Sequence, residues 1–218
     1  MSSEQEAFMK LRMQELATKA KLKRVPELCI SKNERLANVN IFQRRISVGE
    51  YLCSLWKEGK FSDKDIEATL AHEIGHLMDF RRTSGSKSFR NLLIESLWFS
   101  CGMVPLVVYL LSPSVLILTL SLVFAVGWGF SIPWVVRGIE AQIELVADQN
   151  AALFLVEPQQ LANALVKISS FGVPAKRFGL TGRLSFLAGT LTHPSFNKRV
   201  QNLKRLMASA QLDCVRSF

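Results

Sequence analysis

Hydrophobic and polar positions divide the chain into two mixed flanks around one apolar block. The block consists of two predominantly apolar runs, residues 92–111 and residues 115–136, which a Ser-Pro-Ser turn separates. A helix needs about 20 apolar residues to cross the hydrocarbon core of a bilayer. The pattern therefore predicts a hairpin of two transmembrane helices. The alternative interpretation is a pair of helices buried in a soluble core.

In the flanks, the spacing of apolar residues predicts helices and a small sheet. It predicts a helix over residues 5–21, and Ser62 followed by acidic residues predicts the N-cap of a helix that ends near residue 82. The runs at residues 28–30 and 41–48 predict strands. We therefore expect an α+β fold, mostly α, with a small antiparallel sheet and the transmembrane hairpin as an insertion. Three further helices are expected, over residues 135–156, from Pro158 to Gly172 and after Pro194.

The charge distribution separates the same three segments. Residues 1–90 carry 17 Lys and Arg against 12 Asp and Glu, and residues 137–218 carry 10 Lys and Arg against 5 Asp and Glu. Residues 91–136 contain a single charged residue, Glu95. Positive residues flank the cytoplasmic ends of transmembrane helices, so we expect an integral membrane protein with both flanks in the cytoplasm. Anionic headgroups attract such flanks, which makes a lipid bilayer the expected partner. Nucleic-acid binding is not expected, because the positive charge forms no single patch.

Residues 72–76 read His-Glu-Ile-Gly-His and lie inside the helix predicted after Ser62. Two histidines four residues apart project from one face of a helix, so His72 and His76 can bind the same metal ion. Glu73 is then placed to hold a water at that metal and to accept its proton. The alternative is a helix with two unrelated surface histidines. The four cysteines form no CxxC pair, so a thiolate metal site is not expected.

A third ligand must come from another segment, because a catalytic zinc ion takes three protein ligands and keeps one position open. Glu140, Glu144 and Asp148 recur every four residues in the helix predicted over residues 135–156. An exposed acidic stripe is the alternative, but the apolar neighbours indicate a packed helix, in which unpaired carboxylates are costly. Periodicity alone does not choose among the three acids. Asp148, one turn after Glu144, would be placed to accept the second ring N–H of a ligand histidine.

These motifs resemble those of the HtpX-like membrane zinc metalloproteases, relatives of the CAAX prenyl endopeptidases. Residues 68–76 (Ala-Thr-Leu-Ala-His-Glu-Ile-Gly-His) resemble the active-site helix of that family, and residues 144–148 (Glu-Leu-Val-Ala-Asp) resemble its second motif. Thr192-His193-Pro194, followed by Arg199, is similar to a late His-Pro segment of the family. The resemblance covers roughly residues 25–207 and implies a zincin-type metalloprotease domain.

The resemblance also implies roles for individual residues. Glu73 would be the general base, and His193 and Arg199 would face the reacting carbonyl. On the alternative interpretation, His193 is a loop residue before a helix that begins with proline. Substrate backbone is expected to pair along an edge strand at residues 36–40. The ligands of Zn²⁺ would be His72, His76 and Glu144. Asp148 would accept a hydrogen bond from one of the ligand histidines.

The function implied by the resemblance is that of a membrane-bound zinc endopeptidase. It would hydrolyse membrane-associated or misfolded proteins at the cytoplasmic face. Residues 1–90 and 137–218 would form the two halves of the catalytic domain, and residues 91–136 the transmembrane hairpin between them. The alternative is a catalytically inactive membrane scaffold that retains the fold. Such a scaffold would be expected to lack Glu73 or a ligand, and none is missing here.

Overall fold

The fold consists of helices and one small sheet in the part of the chain that the computed structural model describes. These are residues 3–32, 34, 36–78, 96, 103, 107, 110, 111, 114–155, 157–171 and 195–216. The helices are α1 (Ser3–Lys19), α2 (Glu50–Lys57), α3 (Asp63–Met78), α4 (Val115–Phe154), α5 (Gln159–Phe171) and α6 (Phe196–Arg216). The strands are β1 (Glu27–Ser31), β2 (Ala37–Asn40) and β3 (Arg45–Gly49). The protein is therefore a mostly helical α+β protein, as the sequence predicts.

The three strands form a mixed sheet in the order β1-β3-β2. β1 runs parallel to β3, with Glu27 opposite Arg45, whereas β2 runs antiparallel to β3, with Ala37 opposite Val48. The predicted antiparallel sheet is therefore wrong in one of its two pairings. The physical reason is that the chain reverses direction twice between β1 and β3. Two reversals leave these strands pointing the same way, and β3 then lies between the other two.

The strand predicted over residues 41–48 begins later in the structure. Residues 41–44 form a turn between β2 and β3. In this turn, the side-chain oxygen of Asn40 accepts a hydrogen bond from the backbone N–H of Gln43 at 3.0 Å, and Arg44 has a φ of 50°. Asn side chains that bond to nearby backbone favour turns. This local hydrogen bond therefore favours a turn at residues 41–44, where the apolar residues had predicted the start of a strand.

The core surrounds α3, the helix that carries the HExxH motif. α3 packs against α1, α5 and β2, which hold it from several sides. Burial of apolar side chains supplies most of the stabilisation of such a core, at about 25 cal/mol per Å² removed from water. The largest side chains removed from solvent in the described residues include Met9, Leu16, Ile46, Leu52, Phe61, Ile66, Leu70, Ile74, Leu161 and Leu203.

The start of α3 is fixed by a reciprocal cap. The backbone N–H of Ser62 donates to Asp65 Oδ2 at 2.7 Å, and the backbone N–H of Asp65 is 3.3 Å from Ser62 Oγ. Lys167 on α5 donates to the same carboxylate, whose side chain is 5% exposed. This arrangement satisfies donors that a helix N-terminus otherwise leaves without partners. The predicted cap at Ser62 therefore also anchors α3 to α5.

α4 is one continuous helix of 40 residues. The sequence predicted a transmembrane helix ending at residue 136 and a separate helix beginning at residue 135, and that boundary is wrong. No turn or cap separates the two segments, and the helix continues through Pro133 although proline lacks the N–H of one helical hydrogen bond.

The first span of the predicted hairpin falls largely on residues that the structure does not describe, whereas residues 115–136 of the second span lie in α4. Residues 92–111 belong mostly to that part of the chain. Within the described residues, no helix combines the length and hydropathy of a bilayer crossing. The hairpin therefore stays a prediction. In the first part of α4, several large apolar side chains are between 50% and 80% exposed, namely Val115, Leu116, Leu120, Leu122, Val123 and Val126.

The chain divides into two compact units. The first comprises Met1–Phe80, Ile143–Phe178 and Pro194–Phe218, and the second comprises Arg81–Gln142 and Gly179–His193. Every described residue of the candidate site belongs to the first unit.

Candidate metal centre

α3 brings the two histidines of the HExxH motif together. The rings of His72 and His76 have their centroids 4.7 Å apart and their planes at 77°. Their Nε2 atoms approach to 3.2 Å. Glu73, between them in the chain, has a buried side chain. Side chains four residues apart share a helix face, so this approach follows from the local geometry of α3.

α4 brings a carboxylate to the same point. Glu144 Oε2 lies 3.3 Å from His72 Nε2, and Glu144 Oε1 lies 3.7 Å from His76 Nε2. One ligand atom from each of the three residues lies within 4.8 Å of the others, so the group could hold a metal ion. Of the three acids in the predicted stripe, Glu144 is thus placed beside both histidines. The side chain of Glu140 lies outside the described residues.

Asp148 lies behind His72, on the side away from Glu144. Its carboxylate is completely buried, and its Oδ1 is 2.9 Å from His72 Nδ1. An N–H on Nδ1 that donates to Asp148 leaves the lone pair of Nε2 directed toward Glu144 and His76. Metal-binding histidines commonly have such an acceptor for the second ring nitrogen, which fixes the tautomer and the ring orientation.

Arg199 enters the same cluster from α6. Its Nε donates to Asp148 Oδ2 at 2.8 Å, and its Nη2 donates to Asp148 Oδ1 at 2.6 Å. Its Nη1 lies 3.1 Å from Glu144 Oε2, and its Nη2 lies 3.2 Å from His72 Nδ1. The family resemblance implied that Arg199 faces the reacting carbonyl. The structure places its guanidinium against two carboxylates beside the histidines, a pairing that the sequence did not indicate.

The electrostatics of the cluster favour a cation. Burial and the charge of Arg199 lower the pKa of His72, but hydrogen bonds to Asp148 and Glu144 outweigh both and raise it to about 10. Burial raises the pKa of Asp148, but hydrogen bonds from Arg199 and His72 bring it below its ordinary value. The cluster thus contains three carboxylates, with Glu73 as the third, against the guanidinium of Arg199 and a protonated His72. A divalent metal ion would offset this excess of negative charge.

One contact between α3 and α4 was not predicted from the sequence. Asn150 on α4 donates from Nδ2 to the carbonyl oxygen of Gly75 on α3 at 3.0 Å. A side chain at Gly75 would overlap the carbonyl oxygen of Ala147. The signal that could have indicated this contact is an asparagine inside an apolar helix, since Asn disfavours helix interiors unless its amide has a partner.

His193 lies outside the described residues, as do its neighbours Thr192 and Pro194. Its expected position at the reacting carbonyl therefore stays a prediction.

Comparison with known proteins gives one match. No curated protein and no solved structure matches the chain. The family model of Peptidase family M48 matches residues 3–207, which include α3, α4 and Arg199. The chain therefore belongs to Peptidase family M48, the family of the HtpX-like and CAAX-protease-like zinc metallopeptidases.

Proposed function

We propose that the protein is a zinc-dependent endopeptidase that acts at the cytoplasmic face of a membrane. Membership of Peptidase family M48 supports metallopeptidase activity and polypeptide substrates. The observation that carries the proposal is the convergence of His72, His76 and Glu144 from two helices at one point. Together with Glu73 beside the first histidine, this convergence supplies both the ligands and the base that metal-dependent peptide hydrolysis requires.

Zinc is the metal that these three residues fit best. Two imidazoles and one carboxylate, with a fourth position open, are a known ligand set of catalytic zinc. In tetrahedral coordination with Zn–N bonds of about 2.0–2.1 Å, two donor atoms lie about 3.3 Å apart. The Nε2 atoms of His72 and His76 are 3.2 Å apart, and Glu144 lies 3.3 Å from His72 Nε2 through Oε2 and 3.7 Å from His76 Nε2 through Oε1. The donor set therefore suits zinc in both chemistry and spacing.

A zinc ion held there would supply a Lewis acid for the peptide carbonyl and would activate water. The proton transfers fall to Glu73, whose buried carboxylate accepts a proton from the attacking water and delivers it to the nitrogen of the leaving amine. Burial lowers the pKa of Arg199, but Asp148, Glu144 and Glu73 raise it above its ordinary value, so this side chain stays positive throughout.

Arg199 and His193 complete the proposed machinery. The oxyanion that develops on the substrate carbonyl needs hydrogen-bond donors, and we assign that role to these two side chains. The two hydrogen bonds of Arg199 to Asp148 support its part in the assignment, because they hold the guanidinium rigidly beside the ligands.

Two features support substrate binding as an extended strand. β2 lies at an edge of the sheet and packs against α3, the helix that carries the histidines. Within the described residues, β2 pairs only with β3, which leaves the hydrogen-bonding groups of its other edge for a substrate backbone. We propose that the substrate lies antiparallel or parallel along this edge, with its scissile bond near the ligands.

Two observations support the proposed membrane location, namely the charge distribution of the sequence and the exposed apolar side chains of α4. Residues 91–136 contain one charged residue, Glu95, between two basic flanks. Large apolar side chains on the first part of α4, such as Leu116 and Val123, face outward, as a lipid-contacting surface would. Membrane-associated or misfolded proteins are therefore the substrates that we propose.

The proposal is tested with detergent-purified protein, casein and a chelator. We expect about one zinc ion per chain, casein cleavage that the chelator abolishes, and recovery of cleavage when zinc is added back. Protein that binds zinc but leaves casein intact would contradict the endopeptidase and support the inactive scaffold. Cleavage that survives complete removal of metal would contradict the metal-dependent mechanism.

A further inference from the structure

The two helices that carry the proposed ligands approach each other closely at Gly75. A Cβ at this position would overlap the carbonyl oxygen of Ala147 and lie 3.1 Å from its carbonyl carbon. Ala147 is itself buried and lies between Glu144 and Asp148 in the chain. Glycine on α3 and alanine on α4 therefore let the two backbones come together directly beside the ligands.

Asn150 forms a hydrogen bond to the same glycine. Its side-chain amide donates to the carbonyl oxygen of Gly75 at 3.0 Å. Gly75 lies one residue before His76, within the part of α3 that carries both histidines. Asn150 thus links the other ligand-bearing helix to α3 by a hydrogen bond at the residue next to His76.

This hydrogen bond acts on the backbone of a proposed ligand. The carbonyl of Gly75 and the N–H of His76 belong to one planar peptide unit, so holding the carbonyl also orients the start of His76. On α4, Asn150 follows Asp148 by two residues. A slip of one residue along α4 would shift its side chains by about 1.5 Å and turn them by about 100°. Glu144 would then no longer face the histidines.

We propose that Asn150 is a positioning residue of the metal centre, an inference that rests on the proposed zinc site. The contact of Gly75 with Ala147 sets how closely the helices approach. The contact of Gly75 with Ala147 alone would resist sliding of α4 along α3 only weakly. A hydrogen bond is directional, so it limits both the translation and the rotation of α4 relative to α3. Asn150 therefore selects the register of α4 at which Glu144 lies beside His72 and His76.

The test compares two amide-to-carboxylate substitutions at neighbouring positions in the full-length protein. Asn150→Asp keeps the size of the side chain but replaces the donor by an acceptor that the Gly75 carbonyl repels. Gln149→Glu makes the same change of charge on an exposed residue and is the matched control. Zn²⁺ affinity is measured by competition with a chelator at one pH, and thermal unfolding is measured on the metal-free proteins.

We expect Asn150→Asp to bind Zn²⁺ about tenfold more weakly or worse, because loss of a residue that orients ligands typically costs 10–100-fold in metal affinity. Gln149→Glu should stay within about twofold of the wild-type affinity. Asn150→Ala removes the donor without adding charge, so it should weaken Zn²⁺ binding in the same direction but less.

A purely structural role predicts another result. If the Asn150 variants unfold at a lower temperature without metal, yet bind Zn²⁺ as tightly as Gln149→Glu, the positioning role is overturned. Casein cleavage by the wild-type protein is measured in parallel. Wild-type protein that binds Zn²⁺ but cleaves nothing contradicts the proposed function and leaves the positioning role supported by the affinity difference. Wild-type protein that binds no Zn²⁺ overturns both.

Discussion

Asp148 holds two charged side chains of the candidate metal centre, those of His72 and Arg199, in place. It is completely buried and accepts hydrogen bonds from His72 and, at two atoms, from Arg199. Breaking a buried ion pair by removing one partner costs about 3–5 kcal/mol, because the other charge is left without compensation. The three side chains therefore stabilise one another as a unit, and this unit holds the ring of His72 in one orientation.

Substitutions of the acids on α4 should lower zinc binding in a graded order. Glu144→Gln is expected to lose most of its zinc, because an amide oxygen is a much weaker ligand than a carboxylate. Asp148→Asn is expected to weaken affinity only about 10–100-fold, because it removes support for a ligand and not the ligand itself. Metal analysis after dialysis against a fixed chelator concentration measures both.

Glu140→Gln is the control for this series, since Glu140 lies one turn before Glu144 on the same helix. Its zinc content is expected to stay near that of the wild-type protein. If zinc falls most in Glu140→Gln, the assignment of the third ligand is wrong, and that of Asp148 fails with it.

Some residues of the candidate site could be predicted from the sequence and others could not. The HExxH motif could be predicted because helix geometry alone sets the spacing of its histidines. Periodicity left three acids open as the third ligand, and the choice of Glu144 needed the family resemblance. The pairing of Arg199 with Asp148 could not be predicted, because two side chains 51 residues apart meet only through the packing of helices within the first unit.

Among the secondary-structure elements, the N-terminus of α3 makes the free energy of unfolding depend on pH. Burial raises the pKa of Asp65, but hydrogen bonds from Lys167 and Ser62 bring it below the ordinary value of 3.8. Ionised Asp65 therefore stabilises the folded state above this value, and the contribution disappears as the pH falls through the lowered pKa. We expect the free energy of unfolding to fall less steeply below pH 3.8 in Asp65→Asn than in the wild-type protein.

Urea unfolding at several pH values between about 5 and about 2.5 measures this difference. Glu4→Gln, at an exposed position near the start of α1, is the control and should follow the wild-type curve. Parallel curves for Asp65→Asn and the wild-type protein would contradict the stabilising role of the cap.

The close approach of α3 and α4 predicts a steric effect. Gly75→Ala should destabilise the metal-free protein by about 1–3 kcal/mol, because the new methyl group forces two packed backbones apart. Gly138→Ala is the matched control on α4, where no described heavy atom lies within 4 Å of the new Cβ. It should be neutral or stabilising by up to about 1 kcal/mol. Equal stabilities of the two variants in urea would contradict the close approach.

The elements themselves were predictable where their signals are local. The cap at Ser62, the helix after Pro158 and the helix after Pro194 follow from neighbouring residues alone. The direction of β1 relative to β3 was not predictable, because it depends on how many times the chain reverses between them. The helix α2 was missed, since its eight residues are too few to show a clear period.

Considering the molecule as a whole, we expect both flanks on the same side of the membrane. In the proposed hairpin, residues 1–90 and 137–218 both face the cytoplasm. Ser84→Cys and Ser217→Cys, each in a protein without its native cysteines, should therefore react alike with an impermeant thiol reagent in oriented vesicles. Labelling from opposite sides would mean a single crossing and would contradict the hairpin. The native cysteines to be replaced are Cys29, Cys53, Cys101 and Cys214.

We propose that this buried cluster hydrolyses peptide bonds with Glu73 as its base. The most direct test measures zinc content and casein cleavage on the same preparation of Glu73→Gln, with Glu67→Gln on the same helix as the control. We predict wild-type zinc content for both variants, wild-type cleavage for the control, and a loss of about 10²–10⁴-fold in cleavage for Glu73→Gln. A Glu73→Gln protein that carries its zinc and keeps more than about a tenth of the wild-type cleavage rate would contradict the claim.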